Sequence, residues 1–316
     1  MEAKVSVKIQ HLMNKEVSGL GTSTLELAKY EELAGHTATI RQPSGGLIYG
    51  NGREYDVTAA HHQLDQSQYH DGKPKFLWTH GEPLSSVGNG ISMRATIEMA
   101  PMCNAFISMR KDELPLWKMV HANTYLVTKG IDLDVYKPLP GITEKLSGEP
   151  SILYYENIRG TRNPLYWLCA MQKVHAKFPN ARFHIYNVGD KKMVDTFQAL
   201  NTHAHLWPFL RTISGPVDGP EAVNLLLNRV DIVVSALYPL YARSIEAFGA
   251  GKAFISPGYS EFDYPWTCDY NPESMADAII KCHEGYGKVD YRKWAQEHHD
   301  VRQTVAESVD IYKRFM

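Results

Sequence analysis

Residues 231–256 read Asp-Ile-Val-Val-Ser-Ala-Leu-Tyr-Pro-Leu-Tyr-Ala-Arg-Ser-Ile-Glu-Ala-Phe-Gly-Ala-Gly-Lys-Ala-Phe-Ile-Ser, and no other stretch constrains the fold as much. The apolar run Ile232 to Val234 predicts a buried strand, followed by a loop. A short helix comes next, carrying one carboxylate, Glu246, on a face of small residues. Gly249 and Gly251 end it, because glycine adopts the left-handed backbone of a helix terminus at little steric cost. Ala253-Phe-Ile-Ser256 then starts another strand. Strand–loop–helix–strand is the building unit of open α/β sheets, where ligands gather outside the carboxyl ends of the strands. An acid at the start of such a helix is a natural partner for a ligand hydroxyl.

The same alternation runs through both halves of the chain. Val5, Val7 and Ile9 alternate as a strand. After Ser18-Gly-Leu-Gly-Thr-Ser-Thr24, residues Leu27, Tyr30 and Ala34 recur at helical spacing, Gly35 is a stop, and His36 to Ile40 resumes as a strand. This is a βαβ unit with a glycine-rich first turn. Residues 55–60, 75–79 and 104–108 predict further strands, and the Met-rich stretch 91–102 a helix whose methionines fill the core. Around residues 129–150 prolines and glycines break the pattern, as in a linker. Strands at 151–155 and 183–188, and helices from Leu165, around Ala222, around Met275 and from about Tyr291, restart it. The expected architecture is two doubly wound, Rossmann-like α/β domains facing a cleft: 1–145, 146–290, and a C-terminal helix 291–316 packing back toward the first domain. At 316 residues the chain exceeds a comfortable single core.

A net charge of −2 argues against a broad electrostatic grip on nucleic acid. Cys103, Cys169, Cys268 and Cys282 are scattered without metal-ligand or redox spacing, which suits free thiols in a reducing compartment. The N-terminus lacks an apolar signal region, and no apolar run approaches the roughly 18 residues of a membrane helix. The expectation is a soluble cytoplasmic protein.

Several groups are candidates for ligand chemistry. Ser18-Gly19-Leu20-Gly21 before a helix suits a phosphate, although tight strand–helix packing explains such glycines about as often. A dinucleotide is disfavoured: Thr24 occupies the third glycine position, and Ile40-Arg41-Gln42 offers no acid to a ribose. His80, in His80-Gly-Glu-Pro83, directly follows a strand and is suited to donate to a ligand or exchange a proton; a loop histidine satisfied by backbone is the alternative. His61-His62 lacks the further ligands of a metal site. Arg159 and Arg162, in a strand-to-helix loop, suit a diphosphate, with a solvated surface pair as the bland reading.

Together these pieces resemble the retaining glycosyltransferases of the GT-B fold, family 4 (glycosyl transferases group 1), across nearly the whole chain. Gly19-Leu-Gly21 with the helix ending in Gly35-His36 is similar to that family's first turn and helix. His80-Gly-Glu-Pro83 looks like its His-Glu-Pro segment, and Gly130-Ile-Asp-Leu-Asp-Val-Tyr-Lys-Pro138 its Gly-Val-Asp…Phe-X-Pro signature. Ile152-Leu-Tyr-Tyr155 matches its first C-domain strand, and Ile245-Glu-Ala-Phe-Gly-Ala-Gly-Lys252 its Leu-Glu-Ala-Met-Ala-Ala-Gly helix. The resemblance implies a C-terminal domain that binds a nucleotide-diphosphate sugar as co-substrate and an N-terminal domain that binds the acceptor, with neither metal nor bound cofactor. It places Glu246 on the ribose hydroxyls, Arg162 and Arg159 on the diphosphate, Gly19 and Gly21 over the phosphates, and His80 beside the transferred sugar. The segment around Tyr238, Leu240, Tyr241, Ala242 and Arg243 would face the sugar and the β-phosphate through its amides.

Two departures stand out. Tyr238 occupies the position of the family's first acid in Glu-X7-Glu, and Asn157 that of the arginine preceding its lysine. They leave open a catalytically degenerate sugar-nucleotide-binding protein. A glycosyltransferase acting on hydroxymethylated DNA bases is a further alternative, on the strength of Lys73, Lys75, Arg110, Lys111 and Lys118 near Trp78 and Trp117. A glycan, lipid or other small acceptor is favoured over DNA, and peripheral membrane contact is compatible with the sequence.

Overall fold

The computed structural model of the 316-residue chain describes residues 5–13, 19–42, 45–51, 54–61, 71–79, 96–111, 113–156, 158, 164–186, 191–202, 207–213, 217, 219–235, 242–258, 267–285 and 289–316. It divides into two compact units: Met1–Asp132 together with His298–Met316, and Leu133–Glu297.

The first unit runs β1 (Lys8–Met13), α1 (Gly19–Leu33), β2 (Thr37–Arg41), β3 (Leu47–Tyr49), β4 (Val57–His61), β5 (Lys75–Thr79), β6 (Ala105–Ser108), α2 (Leu114–Val120) and β7 (Thr124–Leu126). Its sheet has the order β3-β2-β1-β4-β5-β6-β7, parallel throughout except for the antiparallel pair β2/β3. Strands β4, β5 and β6 are buried along their whole length, as expected of a parallel sheet covered on both faces. The strand order reverses direction between β1 and β4, which are paired with Met13 opposite His61.

The second unit runs β8 (Ser151–Tyr154), α3 (Leu165–Lys177), β9 (Arg182–Tyr186), α4 (Lys191–Thr202), β10 (Leu210–Ile213), α5 (Pro220–Asn228), β11 (Ile232–Val234), α6 (Ala242–Gly249), β12 (Ala253–Pro257), β13 (Thr267–Cys268), α7 (Pro272–His283) and α8 (Tyr291–His298). Its all-parallel sheet has the order β10-β9-β8-β11-β12-β13, and the reversal falls between β8 and β11. The stretch read as a linker from its prolines is tied to this unit from Leu133 onward. The amide of Lys137 donates to Asn224 Oδ1 at 3.1 Å, and that of Leu139 to Asn228 Oδ1 at 2.9 Å. The amides of an irregular segment have no ladder to pair with, and two asparagines one helical turn apart on α5 serve these two.

The polar C-terminal region is two helices, α8 and α9 (Val301–Lys313), because Asp300 starts a new one by accepting from the Arg302 amide at 2.9 Å. Within the first unit α9 packs Val305, Val309 and Tyr312 against Ile9, Phe76 and Trp78 of the sheet. The Tyr312 ring lies 4.6 Å from that of Phe76, and its hydroxyl accepts from the Trp78 indole at 3.0 Å.

Candidate functional site

In an open α/β sheet the place where strand order reverses leaves a crevice at the carboxyl ends of the two diverging strands. In the second unit these are β8 and β11. Tyr155 and Glu156 follow β8, and Ser235 follows β11. All three are buried, with Glu156 2% and Ser235 0% exposed. The Ser235 hydroxyl donates to Glu156 Oε1 at 2.7 Å, and the Trp167 indole of α3 donates to the Ser235 carbonyl at 2.8 Å. A carboxyl group is thereby held at the end of a buried sheet by a fixed hydrogen-bond donor, as a buried polar group requires.

Helix α6 closes over this edge. Ser244, Ala247 and Gly249 are buried on it, and their small size allows close approach to the sheet. Glu246 is 8% exposed, and its Oε2 has no hydrogen-bond partner among the described residues. Arg243, one turn earlier, approaches that oxygen to 3.6 Å, beyond hydrogen-bonding range. The Arg243 guanidinium instead lies over the Tyr155 ring, 4.1 Å from its centroid, and donates to the Tyr155 hydroxyl. Burial acts to lower the Arg243 pKa, but the charge of Glu246, with Tyr155 and Glu156, outweighs it and holds the group above its ordinary value. Burial, reinforced by the Glu246 charge, pushes the Tyr155 phenol well above its usual range, so the phenol stays neutral. The crevice therefore combines a firmly held cation with a buried carboxylate oxygen open to a donor. A hydroxyl beside an anionic group is the ligand chemistry that satisfies both.

Ala242, Arg243 and Glu246 are brought together here on the first turns of α6. Gly19 and Gly21 lie in the first turn of α1, in the first unit, so the glycines begin the helix rather than the turn before it. His80, Arg159, Arg162, Tyr238, Leu240 and Tyr241 lie outside the described residues. Tyr155, Glu156 and Ser235 were missed in the sequence. The strand-end rule that singled out His80 applies equally to the Tyr-Glu pair closing Ile152-Leu-Tyr-Tyr-Glu156 and to the serine after Ile232-Val-Val.

The first unit carries a second polar cluster at its own reversal point. His11 of β1 and His61 of β4 are 3.0 Å apart, Nδ1 to Nε2, and His11 Nε2 lies 2.7 Å from Glu31 Oε2 of α1. All three are shut away from solvent, at 0%, 1% and 0% exposure, and His61 stacks on Trp78 at 5.5 Å. Only His61 of this group is singled out by the sequence. The basic, aromatic face suggested for DNA is corrected by burial: Trp78 and Trp117 are 1% and 3% exposed, and Lys75 is 3% exposed and bonded to Asp71. Those side chains cannot stack on bases. No group of three or more His, Cys, Asp or Glu side chains among the described residues is arranged so that it could hold a metal ion, and none of the described helices is long and apolar enough to cross a membrane.

No protein-family model matches the chain, and neither does any curated protein sequence. Solved structures do match it. A glycosyltransferase from Rickettsia africae ESF-5 is similar at 15% identity, TM-score 0.71, over 98% of this chain and 98% of its own. HepE of Anabaena, in complex with UDP and glucose, is similar at 11% identity and TM-score 0.69, over 97% of this chain and 99% of its own. Sucrose-phosphate synthase of Thermosynechococcus elongatus is similar at 12% identity and TM-score 0.73, over 98% of each chain. The chain thus has the α/β fold of GT-B glycosyltransferases, with Rossmann-like parallel sheets in both units.

Proposed function

We propose that this protein is a retaining, metal-independent glycosyltransferase of family 4 type, moving a sugar from a nucleotide-diphosphate sugar to an acceptor hydroxyl without a bound cofactor. The observation that carries this reading is Glu246: a buried carboxylate with an open oxygen, at the reversal point of a parallel sheet, beside a cation. Its support is a fold shared over nearly the full length with HepE, whose structure holds UDP and glucose.

In this reading Glu246 accepts from the ribose hydroxyls, and Arg162 and Arg159 neutralise the diphosphate. Gly19 and Gly21 close on the phosphates, and the amides of Leu240, Tyr241, Ala242 and Arg243 face the sugar and the β-phosphate. His80 lies beside the transferred sugar, and Tyr238 replaces an acid as the residue that shapes the sugar pocket. The bond from the anomeric carbon to the β-phosphate oxygen breaks as the sugar becomes oxocarbenium-like, and cations and amides stabilise the charge gathering on the departing diphosphate. The acceptor oxygen bonds to the same face, and its proton passes to the leaving phosphate. The first unit binds the acceptor, a glycan, lipid or other small molecule, and the protein works in the cytoplasm.

Incubating the full chain with UDP-, GDP- and ADP-sugars, with and without EDTA, tests the reading. Transfer or slow hydrolysis of one donor is expected, insensitive to EDTA and reduced by Glu246→Ala and by Arg162→Ala, each contact being worth about 1.5–3 kcal/mol. If both variants turn over the donor at the wild-type rate, the donor site lies elsewhere.

A further inference from the structure

Beyond the ribose contact, the geometry points to the Arg243 side chain as a cation that receives the donor's diphosphate, held in the ligand-free protein by Tyr155 and Glu246. This role presupposes the donor site proposed above and adds to it a second anchoring residue and a coupling between the two ends of the nucleotide.

The Arg243 guanidinium is positioned but unsaturated. It offers five N–H donors in a planar fork. Among the described residues its one hydrogen bond goes to the Tyr155 hydroxyl, while Glu246 Oε2 stands off at 3.6 Å. The Tyr155 ring lies beneath it, with the guanidinium carbon 4.1 Å from the ring centroid. The side chain is 29% exposed, so an anion can reach the remaining donors without unpacking α6. Phosphate oxygens match such a fork two at a time, which a point-charge ammonium does not reproduce.

The coupling follows from Glu246. Among the described residues its Oε2 has no hydrogen-bond partner, and Arg243 approaches it to 3.6 Å. A ligand hydroxyl donating to that oxygen satisfies the carboxylate and weakens its pull on the guanidinium. The fork is then released toward phosphate while Tyr155 keeps it in the crevice. Hydroxyl recognition and diphosphate recognition therefore reinforce each other, and a nucleoside diphosphate binds more tightly than the separate fragments predict.

Isothermal titration of the full chain with UDP, ADP and GDP, and with uridine, adenosine and guanosine, reads this directly. For whichever base binds, Arg243→Gln is expected to weaken the diphosphate by ~10–100-fold. The nucleoside should stay within about twofold of wild type, since its hydroxyls meet Glu246 and it carries no phosphate for Arg243. Arg243→Lys, a variant that keeps the charge and guards against misfolding, restores only part of the loss. Glu246→Gln weakens both ligands. Equal weakening of nucleoside and diphosphate by Arg243→Gln, or no weakening of the diphosphate, overturns the Arg243 role while leaving the donor site standing. Failure of all six compounds to bind the wild-type protein overturns the donor site and the Arg243 role together.

Discussion

Gly130 lies so close to Val301 that a Cβ built on it would stand 2.5 Å from both the Cα and the backbone nitrogen of that residue. The reason is the hydrogen bonding on either side. Ile131 donates to the His299 carbonyl at 2.9 Å and accepts from the Val301 amide at 3.1 Å, and the Thr304 hydroxyl donates to the Thr128 carbonyl at 2.8 Å. The Gly130-Ile-Asp132 segment is thus a docking strand for the start of α9, and Asp132 adds bonds from Tyr30 and Lys29, each at 2.7 Å. Gly130→Ala forces backbone apart rather than the tip of a side chain. A loss of roughly 1–3 kcal/mol is expected, read as a lower urea midpoint of the full chain. An unchanged midpoint would mean that α9 docks without this close approach.

His299, in the same joint, gives the first unit a pH dependence. Its ring bonds to the Lys129 carbonyl at 2.7 Å and is 3% exposed. Burial pushes its pKa down from 6.5 to about 4, against the opposing pull of that carbonyl. In the unfolded chain the ring takes up its proton near pH 6.5, whereas the folded protein resists protonation until about pH 4. Between these values the unfolded state binds more protons, so stability is full above pH 6.5 and falls as pH drops toward 4. The group's share of that loss is about 3 kcal/mol. Urea titrations at pH 7, 6 and 5 should show a shallower decline in His299→Gln than in wild type. Parallel declines would show that other groups set the acid sensitivity.

The buried Glu31–His11–His61 cluster should behave as one unit. Glu31→Ala strips the 2.7 Å hydrogen-bond partner from His11 Nε2 inside a closed core, which is expected to destabilise by about 1–3 kcal/mol. His11→Leu leaves Glu31 similarly stranded. The double variant should lose less than the sum of the two, with a coupling of roughly 0.5–3 kcal/mol. Strict additivity in a denaturation cycle would mean the 2.7 Å contact between these side chains contributes nothing as a pair.

Periodicity makes some of this legible in the sequence and leaves the rest silent. Strands β4, β5, β6 and β8 are apolar runs bounded by polar or turn residues, so burial on both faces is written directly into them. Strands β3 and β7 are three residues each, too short to show any period, while α4, whose Met193, Val194, Phe197 and Leu200 recur at helical spacing, buries Phe197 alone. At the site, Glu246 is legible because an acid on a helix of small residues is conspicuous. Glu156 is not, because its meaning comes from Ser235, 79 residues away, which only strand pairing brings to its carboxylate. His11 and Glu31 are hidden for the same reason: a histidine within a strand and a glutamate within a helix look like ordinary amphipathic positions until β1, β4 and α1 pack together.

Glu246 itself should serve binding rather than stability. A buried carboxylate oxygen with no hydrogen-bond partner among the described residues costs about 1–3 kcal/mol. Glu246→Leu removes that cost and also the counter-charge 3.6 Å from Arg243, and with the two effects opposed it is expected to melt within a few degrees of wild type when no ligand is present. Adding a nucleoside diphosphate at about one hundred times its Kd should stabilise the wild-type protein by about 2.7 kcal/mol, and the variant by nothing measurable. Equal stabilisation of variant and wild type by the nucleoside diphosphate would show that this carboxylate oxygen does not mark a ligand site.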